Sequence, residues 1–486
     1  MFTTLFLKEI RESILTQWFF MVSLICMILI PFGLYMGTMN YLQQQIDYRE
    51  SVRLYREKIN GMVDVDNEVE GFRPPSPLGI FDGGIQNDIP TIVIASNDGV
   101  FRMIDEPGIR NPHTSLFGSL DFRFTVSVVL SLLALMFTFN TITGEKESGT
   151  FRLIMSNPVP RWKVLAGKLI GRYILFVIPF TIALLVGLLI VILTNGSFVL
   201  EADYIMNIIA IVMTSYLFIF TIFSLGIMLS TLTHHSMMTV MMALFVWIFL
   251  VFGIPKISPM ISQILFPVRS TQVVNTEKQL VLRDIENELN EQRSSLFETT
   301  MNAFGVDDWE EVYRAHNDKG PQVDHDAFRE YDTKAAALEN EYRERIASVY
   351  AAIDREYINE LNRQSNVAQH LARLSPVSCY SYIVSNLSNS GLDELESFRT
   401  AARRFQNFLN EDLYSKKVVN VYGRHDGPHI TSINNPHTPV PDLTQFLDGT
   451  NGGVLRINWI DVILLAMYSI LFFAASFVSF LRYDVR

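Results

Sequence analysis

Six runs of about 20 apolar residues constrain this 486-residue chain more than any other feature. A helix needs roughly 20 apolar residues to cross about 30 Å of hydrocarbon. Only the last run carries a charge, Asp461, and charged residues make up 18% of the whole chain. We therefore predict an all-α polytopic membrane protein with six transmembrane helices and a largely helical extracytoplasmic domain. The predicted spans are 18–37, 124–142, 173–194, 204–230, 236–255 and 459–481.

The first 17 residues form an amphipathic pattern before the first span. Phe2, Leu5 and Phe6, followed by Ile10 and Ile14, share one helical face. The charged residues of this segment, among them Glu9, fall largely on the other face. We predict an N-terminal helix lying in the membrane interface at 1–17. The alternative is an extension of the first span. No small-residue cleavage site follows that span, which is therefore expected to remain as an anchor.

The distribution of Lys and Arg predicts the orientation of the spans. The 143–172 loop contains six of them, whereas the 195–203 loop contains none. Positively charged short loops face the cytoplasm, so both termini and 143–172 are predicted to be cytoplasmic. The segments 38–123 and 256–458 are then extracytoplasmic. They carry most of the net charge of −11, which does not favour nucleic-acid binding.

The first outer segment, 38–123, begins as a polar continuation of the first span. The turn-rich stretch RPPSPLGIFDGG follows, and TIVIAS is typical of a strand. We predict a small mixed module packed on the membrane.

The second outer segment, 256–458, is predicted to be mostly helical, with helices at 272–301 and 324–374. An apolar stripe with steps of three and four residues follows the longer helix and predicts a helical hairpin. SPVSCYSYIVSNLS is too short to span and is expected to be interfacial or buried. Residues 415–457 are typical of irregular structure. The stripe consists of Tyr331, Ala335, Leu338, Tyr342, Ile346, Val349, Ile353, Tyr357 and Leu361.

The sequence contains no motif of a known catalytic centre. It lacks a G-x-x-x-x-G-K-[ST] phosphate loop, so we expect no ATP hydrolysis by this chain and no enzyme activity. The two cysteines predict no internal disulfide. His425, His429 and His437 are weak metal candidates, since their spacing matches no standard site; ordinary loop histidines are the favoured interpretation. Asp461 lies at the end of a span, where we expect it to reach water in a structural or interfacial role.

The segment TGEKESGTFRLIMSNPVPRWKVLAGK, residues 143–168, carries seven charges with a net charge of plus three. Glu145 and Glu147 suit a helix N-terminus, Gly149 allows close backbone approach, and Pro158 ends the helix. We expect its charges to be exposed and to suit docking into a polar cleft of another protein. The alternative is a positively charged loop with no partner.

Parts of this segment resemble the permease subunits of the type 2 ABC exporter family, and the resemblance covers most of the chain. In that family the loop is a coupling helix that docks on a separate ATPase subunit. The stretches PPSPLGIFDGG and RLSPVSCYSYIVSNLS also resemble a subgroup with a large extracytoplasmic insert between spans five and six. Two short re-entrant helices occupy this position in compact family members. The resemblance implies coupling residues Gly144, Glu145, Lys146, Glu147, Ser148, Gly149, Thr150, Arg152 and Pro158.

The resemblance implies the permease subunit of an ATP-driven exporter in the bacterial inner membrane. It would move an amphiphile, lipid, peptide or glycan. Its expected partners are an ABC ATPase subunit, a second permease copy or paralogue in a dimer, and the lipid bilayer. ATP and Mg would bind the ATPase, and no cofactor is expected in this chain. The alternative is mechanotransmission, in which the outer domain drives an envelope partner without transport. A receptor that only anchors an outer domain would not need six spans.

Overall fold

The computed structural model describes residues 9, 11, 14, 17–60, 68–86, 88–96, 101–104, 120–151, 160–194, 201–303, 326–408, 443–447 and 457–482. Within these residues, six helical segments are long and apolar enough to cross a bilayer, as the sequence predicts. We call them spans 1 to 6: Gln17–Glu57, Phe122–Glu147, Arg161–Leu193, Tyr204–Leu232, Ser236–Leu265 and Trp459–Arg482.

Several helices extend beyond the predicted apolar runs, because charged helical turns continue past the hydrocarbon. The helix of span 1 is Gln17–Asn60. The helix of span 3 is Arg161–Leu193, so it begins 12 residues before the predicted 173 and includes half of the predicted 143–172 loop. The helices of spans 4 and 6 are Ala202–Leu232 and Trp459–Arg482.

Spans 2 and 5 each contain a π-helical turn. Span 2 consists of Phe122–Phe124, π-helical Thr125–Leu130, Ser131–Thr138 and, after a turn, the short helix Thr143–Glu147. Span 5 consists of Ser236–Ile248, π-helical Phe249–Gly253 and Ile254–Leu265. Isolated π-helical turns inside α-helices are frequent at functional sites.

Small residues and hydroxyl groups hold the spans together. A Cβ at Gly226 would lie 1.9 Å from Thr138 Oγ1, so spans 2 and 4 are in close contact. Thr221 and Ser469 share a 2.7 Å hydrogen bond between spans 4 and 6. Trp247 Nε1 donates to Ser131 Oγ at 2.9 Å between spans 5 and 2. Small residues and interhelical hydrogen bonds stabilise bundles in lipid, where helix association lacks a hydrophobic driving force.

Two long helices form the predicted hairpin beyond the ends of the spans. They are Thr271–Ala303 and Asp326–Ala372. Lys278 pairs with Asp354 at 2.6 Å, and Arg345 with Glu288 at 3.0 Å. Partner positions sum to nearly the same number, so the helices run antiparallel. Every residue of the predicted stripe is buried or half-buried, which confirms the hairpin. We call this end of the bundle the hairpin side, and the end carrying Thr143–Glu147 the strip side.

The two outer segments together build one small module. Strands β1 (Glu68–Phe72), β2 (Ile92–Ser96) and β3 (Phe101–Ile104) form an antiparallel sheet in the order β1-β2-β3. The predicted strand TIVIAS is confirmed as β2. The sheet shares an apolar core with the helix Leu392–Phe408, which comes from the second outer segment. Two 3₁₀ turns, Pro77–Ile80 and Leu443–Gln445, complete the described part of the module; the rest of 415–457 up to residue 456 lies outside the described residues.

The helix Pro376–Leu387, which we call the wedge helix, is buried among the spans. Ser375 caps its N-terminus, since its Oγ accepts a hydrogen bond from Val377 N at 3.1 Å and donates one to Leu250 O of span 5. Tyr380 is fully buried, stacks on Phe218 of span 4 at 4.5 Å and shares a hydrogen bond with Ser215. Of the two placements that the sequence leaves open, interfacial and buried, the structure therefore has the buried one.

Candidate functional site

The short helix Thr143–Glu147 on the strip side is anchored to the turn between spans 4 and 5. The hydroxyl of Ser230 accepts hydrogen bonds from Ile142 N at 3.0 Å and Thr143 N at 3.1 Å. The hydroxyls of Thr143 and Thr239 lie 3.1 Å apart. Because all three hydroxyl residues are almost fully buried, this helix cannot move without span 4 and the beginning of span 5.

Two charged residues of the short helix strengthen this attachment. Lys146 Nζ donates to Thr231 O at 2.5 Å and Thr233 O at 2.9 Å. These carbonyls lie at the C-terminal end of the span 4 helix, where a cation is favourable. Glu147 accepts hydrogen bonds from Ser236 N at 2.7 Å and Ser236 Oγ at 2.6 Å. That carboxylate therefore caps the first turn of span 5, where an anion is favourable.

Glu145 belongs to a mostly buried cluster of four charges. Lys168 of span 3 lies 2.5 Å from Glu9 and 2.7 Å from Glu145. Arg172, one helical turn further, lies 3.5 Å from Glu9 and donates to Phe137 O of span 2 at 3.0 Å. Burial by itself raises the pKa of the Glu9 carboxyl, but Lys168 and Arg172 outweigh it and hold that pKa below its usual value. The cluster joins the N-terminal segment to spans 2 and 3.

The same surface reaches the end of span 6. Arg161 Nη1 donates to Leu481 O at 2.8 Å, and the rings of Phe151 and Phe480 meet edge to face at 5.4 Å. The strip residues therefore contact spans 3, 4, 5 and 6 and the N-terminal segment. A force applied to the strip would reach all of these elements.

The strip charges are less exposed than the sequence predicts. Glu145 and Lys146 are half-buried and bound within the chain, and Gly144 is half-buried, so the expectation of exposed charges is wrong for this part of the strip. Their exposed neighbours are Glu147, Ser148, Gly149 and Thr150. Gly149 has a φ of +75°, with open space around its Cβ position, which turns the chain at the end of the short helix. Arg152 and Pro158 lie outside the described residues.

Comparison with protein families decides what kind of transmembrane bundle this is. A family model described as ABC-2 family transporter protein matches residues 3–485. The chain belongs to the ABC-2 transporter family. It is an ABC transporter permease, and membership implies an ABC ATPase as its partner. No curated protein matches the chain.

On the hairpin side, Asp82 of the permease connects the two outer stretches that the sequence analysis singled out. Its carboxylate is fully buried and accepts hydrogen bonds from Arg123 Nε at 2.6 Å and Gly84 N at 2.9 Å. Ser385 and Ser390 also donate to it, from the wedge helix and the turn that follows. The stretches PPSPLGIFDGG and RLSPVSCYSYIVSNLS are therefore in direct contact at Asp82.

A second buried ion pair fixes the beginning of the wedge helix. Arg373 donates to Asp461 through Nε at 2.6 Å and Nη2 at 3.0 Å. The side chain of Asp461 is 0% exposed, so the expectation that it reaches water is wrong. The wedge helix and its flanking residues cover this end of span 6 and exclude solvent. A structural role for Asp461 is retained, through a buried pair.

Sequence reasoning missed the residues that hold both sites together. Lys168 and Arg172 are spaced i, i+4 and so share a helix face, which could have suggested a common partner. No sequence pattern pairs Glu9 with Lys168, or Asp82 with Ser385, because these contacts join distant segments. Among the described residues no group of three potential metal ligands occurs. His425, His429 and His437 lie outside them.

Proposed function

We propose that this permease is the membrane subunit of an ATP-driven exporter, and that a separate ATPase docks on the exposed residues 147–150. The exported substrate would be an amphiphile, lipid, peptide or glycan. ATP and Mg would be bound by the ATPase, because the permease sequence lacks a phosphate loop. The observation that carries this proposal is the attachment of the strip to four spans and the N-terminal segment.

The strip geometry suggests how docking is coupled to movement. Lys146 and Glu147 hold the turn between spans 4 and 5, while Glu145 holds span 3 through Lys168. Closure of an ATPase pair would displace the exposed end of the strip. Because these bonds bridge the strip to different spans, one displacement would shift the spans together.

The assembly we propose is a dimer in the bacterial inner membrane, formed with a second permease copy or paralogue. Both termini and the strip would be cytoplasmic, since the positively charged short loop contains the strip. In the most apolar stretches of spans 5 and 6, only 22% and 17% of residues are buried within the chain. These faces leave a large apolar surface for lipid and for the second subunit.

Coupling is tested with Lys146→Met in the permease co-purified with its ATPase and reconstituted into liposomes. We expect the ATPase to bind, because the exposed residues are unchanged, but permease-stimulated hydrolysis to fall several-fold. Lys256→Met is the matched control, since Lys256 is exposed near the opposite end of span 5. Equal stimulated hydrolysis in wild type and Lys146→Met would contradict the coupling role.

The hairpin favours a second candidate, mechanotransmission to an envelope partner. The helix Asp326–Ala372 has 47 residues, so it is about 70 Å long at about 1.5 Å per residue. It packs on Ile254–Leu265, the last part of span 5, so movement of that span would reach the hairpin.

Shortening the hairpin separates the two candidates. Residues 285–347 can be replaced by a short Gly-Ser turn, because the positions on either side face each other in the antiparallel pair. The ion pair of Lys278 with Asp354 stays in place below the new turn. Export requires ATP-driven transport in liposomes to persist in this variant. Mechanotransmission predicts normal stimulated hydrolysis with loss of the cellular function and no transport by wild type.

A further inference from the structure

A cavity of about 320 Å³ opens on the hairpin side, where four parts of the chain meet. Tyr41, Gln45 and Tyr48 follow the i, i+4, i+7 spacing of one helix face on the extension of span 1. The proline-rich turn 74–77 and Tyr204 of span 4 form further walls. The last wall comes from the turn after the wedge helix. A volume near 300 Å³ is at the lower end of the range of small-ligand pockets.

The cavity lies at the level of the bilayer surface. Tyr41 follows Trp18 by 23 residues, which is about 35 Å along the helix at about 1.5 Å per residue. The hydrocarbon layer is about 30 Å thick, so Tyr41 lies just beyond it. Tyr204 begins span 4 at the same level. Tyrosines are enriched at headgroup depth in membrane proteins.

The charged residues of the cavity wall are of both signs. They are Arg49, Arg73 and Glu394, which together carry one net positive charge. Arg73 and Glu394 are 8% and 5% exposed. The Arg73 guanidinium is held by Gln86 O at 2.8 Å and lies 5.7 Å from the centre of the Phe398 ring, so its position is fixed.

We propose that this cavity binds the headgroup of a zwitterionic phospholipid with a primary ammonium group. The phosphate diester matches the two arginines, which are suited to phosphate recognition. The ammonium matches the Glu394 carboxylate and the tyrosine faces, which attract cations. A simple anion would be repelled by the carboxylate, and a simple cation by the arginines. The depth of the cavity favours a lipid over a solute from the bulk.

Such a lipid would bridge elements that belong to different parts of the permease. Its headgroup would contact the span 1 extension together with Asn389 and Glu394, which directly follow the wedge helix. Binding would therefore stabilise the wedge helix against span 1. This role goes beyond coupling to an ATPase and does not depend on which substrate is exported.

The test measures thermal unfolding of the full-length permease in detergent with glycerophosphoethanolamine, and with glycerophosphate, which lacks the ammonium. We expect a saturable rise in Tm with the first compound and a clearly weaker effect with the second. Arg49→Gln removes an exposed wall residue and should weaken binding by about tenfold, as expected for loss of a charged hydrogen bond. Arg56→Gln is the matched control. It lies two helical turns further along the same face, outside the cavity, and should behave as wild type.

Nanodiscs distinguish a lipid from a soluble ligand. Phosphatidylethanolamine should raise the Tm of wild type and Arg56→Gln over nanodiscs of phosphatidylglycerol alone, and should do so less in Arg49→Gln. The proposal is overturned by the absence of a saturable shift, by equal shifts in Arg49→Gln and wild type, or by equal effects of the two soluble compounds. A response to glycerophosphoethanolamine without any response to the lipid would also overturn it, in favour of a soluble zwitterion.

Discussion

Arg373 and Asp461 form a two-bond ion pair, with donor–acceptor distances of 2.6 and 3.0 Å, in which both side chains are almost fully buried. The pair joins the residue before the wedge helix to the first turn of span 6. Tyr468 reinforces the junction by donating to Arg373 O at 3.0 Å. The long insert is thus tied to the bundle at its end, beside the helix that fills the space among the spans.

Asp461→Asn is expected to destabilise the permease strongly. The substitution leaves Arg373 buried without its counter-charge, and breaking a buried pair in this way costs about 3–5 kcal/mol. Thermal unfolding of the purified protein, followed by size-exclusion chromatography, measures the loss. Asp393→Asn, at an exposed position on the helix after the wedge helix, should change stability by only about 0.5 kcal/mol. Equal unfolding temperatures for the two variants would show that the pair does not stabilise the junction.

Gly226→Ala is expected to disturb the contact between spans 2 and 4. The new methyl group would lie 1.9 Å from Thr138 Oγ1, and overpacking of this kind costs about 1–3 kcal/mol. Gly33→Ala is the control, because its nearest neighbours would be 3.5 Å away. The measurement is the unfolding temperature together with the yield of monodisperse protein. A Gly226→Ala protein as stable as Gly33→Ala would mean that the helices separate easily.

Glu9→Gln is expected to destabilise the permease at neutral pH and to lose this effect in acid. The folded protein holds the pKa of Glu9 below its usual value of 4.5, so the ionised carboxylate stabilises the fold above that pH. The contribution disappears as the pH falls through the lower, folded-state pKa. The difference in unfolding temperature between wild type and Glu9→Gln should therefore be largest at pH 7 and shrink below pH 4.5. Glu57→Gln, an exposed control on span 1, should show no such difference; a constant difference for Glu9→Gln would contradict the ion pair.

The spans and the hairpin could be predicted from the sequence because their signals are local. A run of 20 apolar residues, or a stripe such as Ala335, Tyr342 and Ile353, is set by the chemistry of the bilayer or of helix packing. The helix ends were less predictable. The apolar run of span 3 begins near Tyr173, but the helix begins at Arg161, since charged turns can continue a helix into water.

The bonds of the candidate site could not be predicted, because each joins segments far apart in the chain. Glu145 was expected to be exposed, but Lys168 and the N-terminal Glu9 enclose it. Asp82 and Ser385 are 303 positions apart, and neither has a local pattern that points to the other. The strip was recognisable by its family resemblance, whereas its attachment to the spans required the fold.

Site-specific photocrosslinking tests the central claim, docking of an ATPase on the strip, most directly. A photoreactive amino acid replaces Ser148, which is exposed on the strip side, or Ser294, which is exposed on the hairpin. Irradiated cells are fractionated, and the crosslinked partner is identified by mass spectrometry of its peptides. We predict that Ser148 crosslinks a protein carrying a G-x-x-x-x-G-K-[ST] phosphate loop, and that Ser294 does not. Crosslinking of that ATPase from Ser294, or its absence at Ser148 while the two proteins co-purify, would contradict the account.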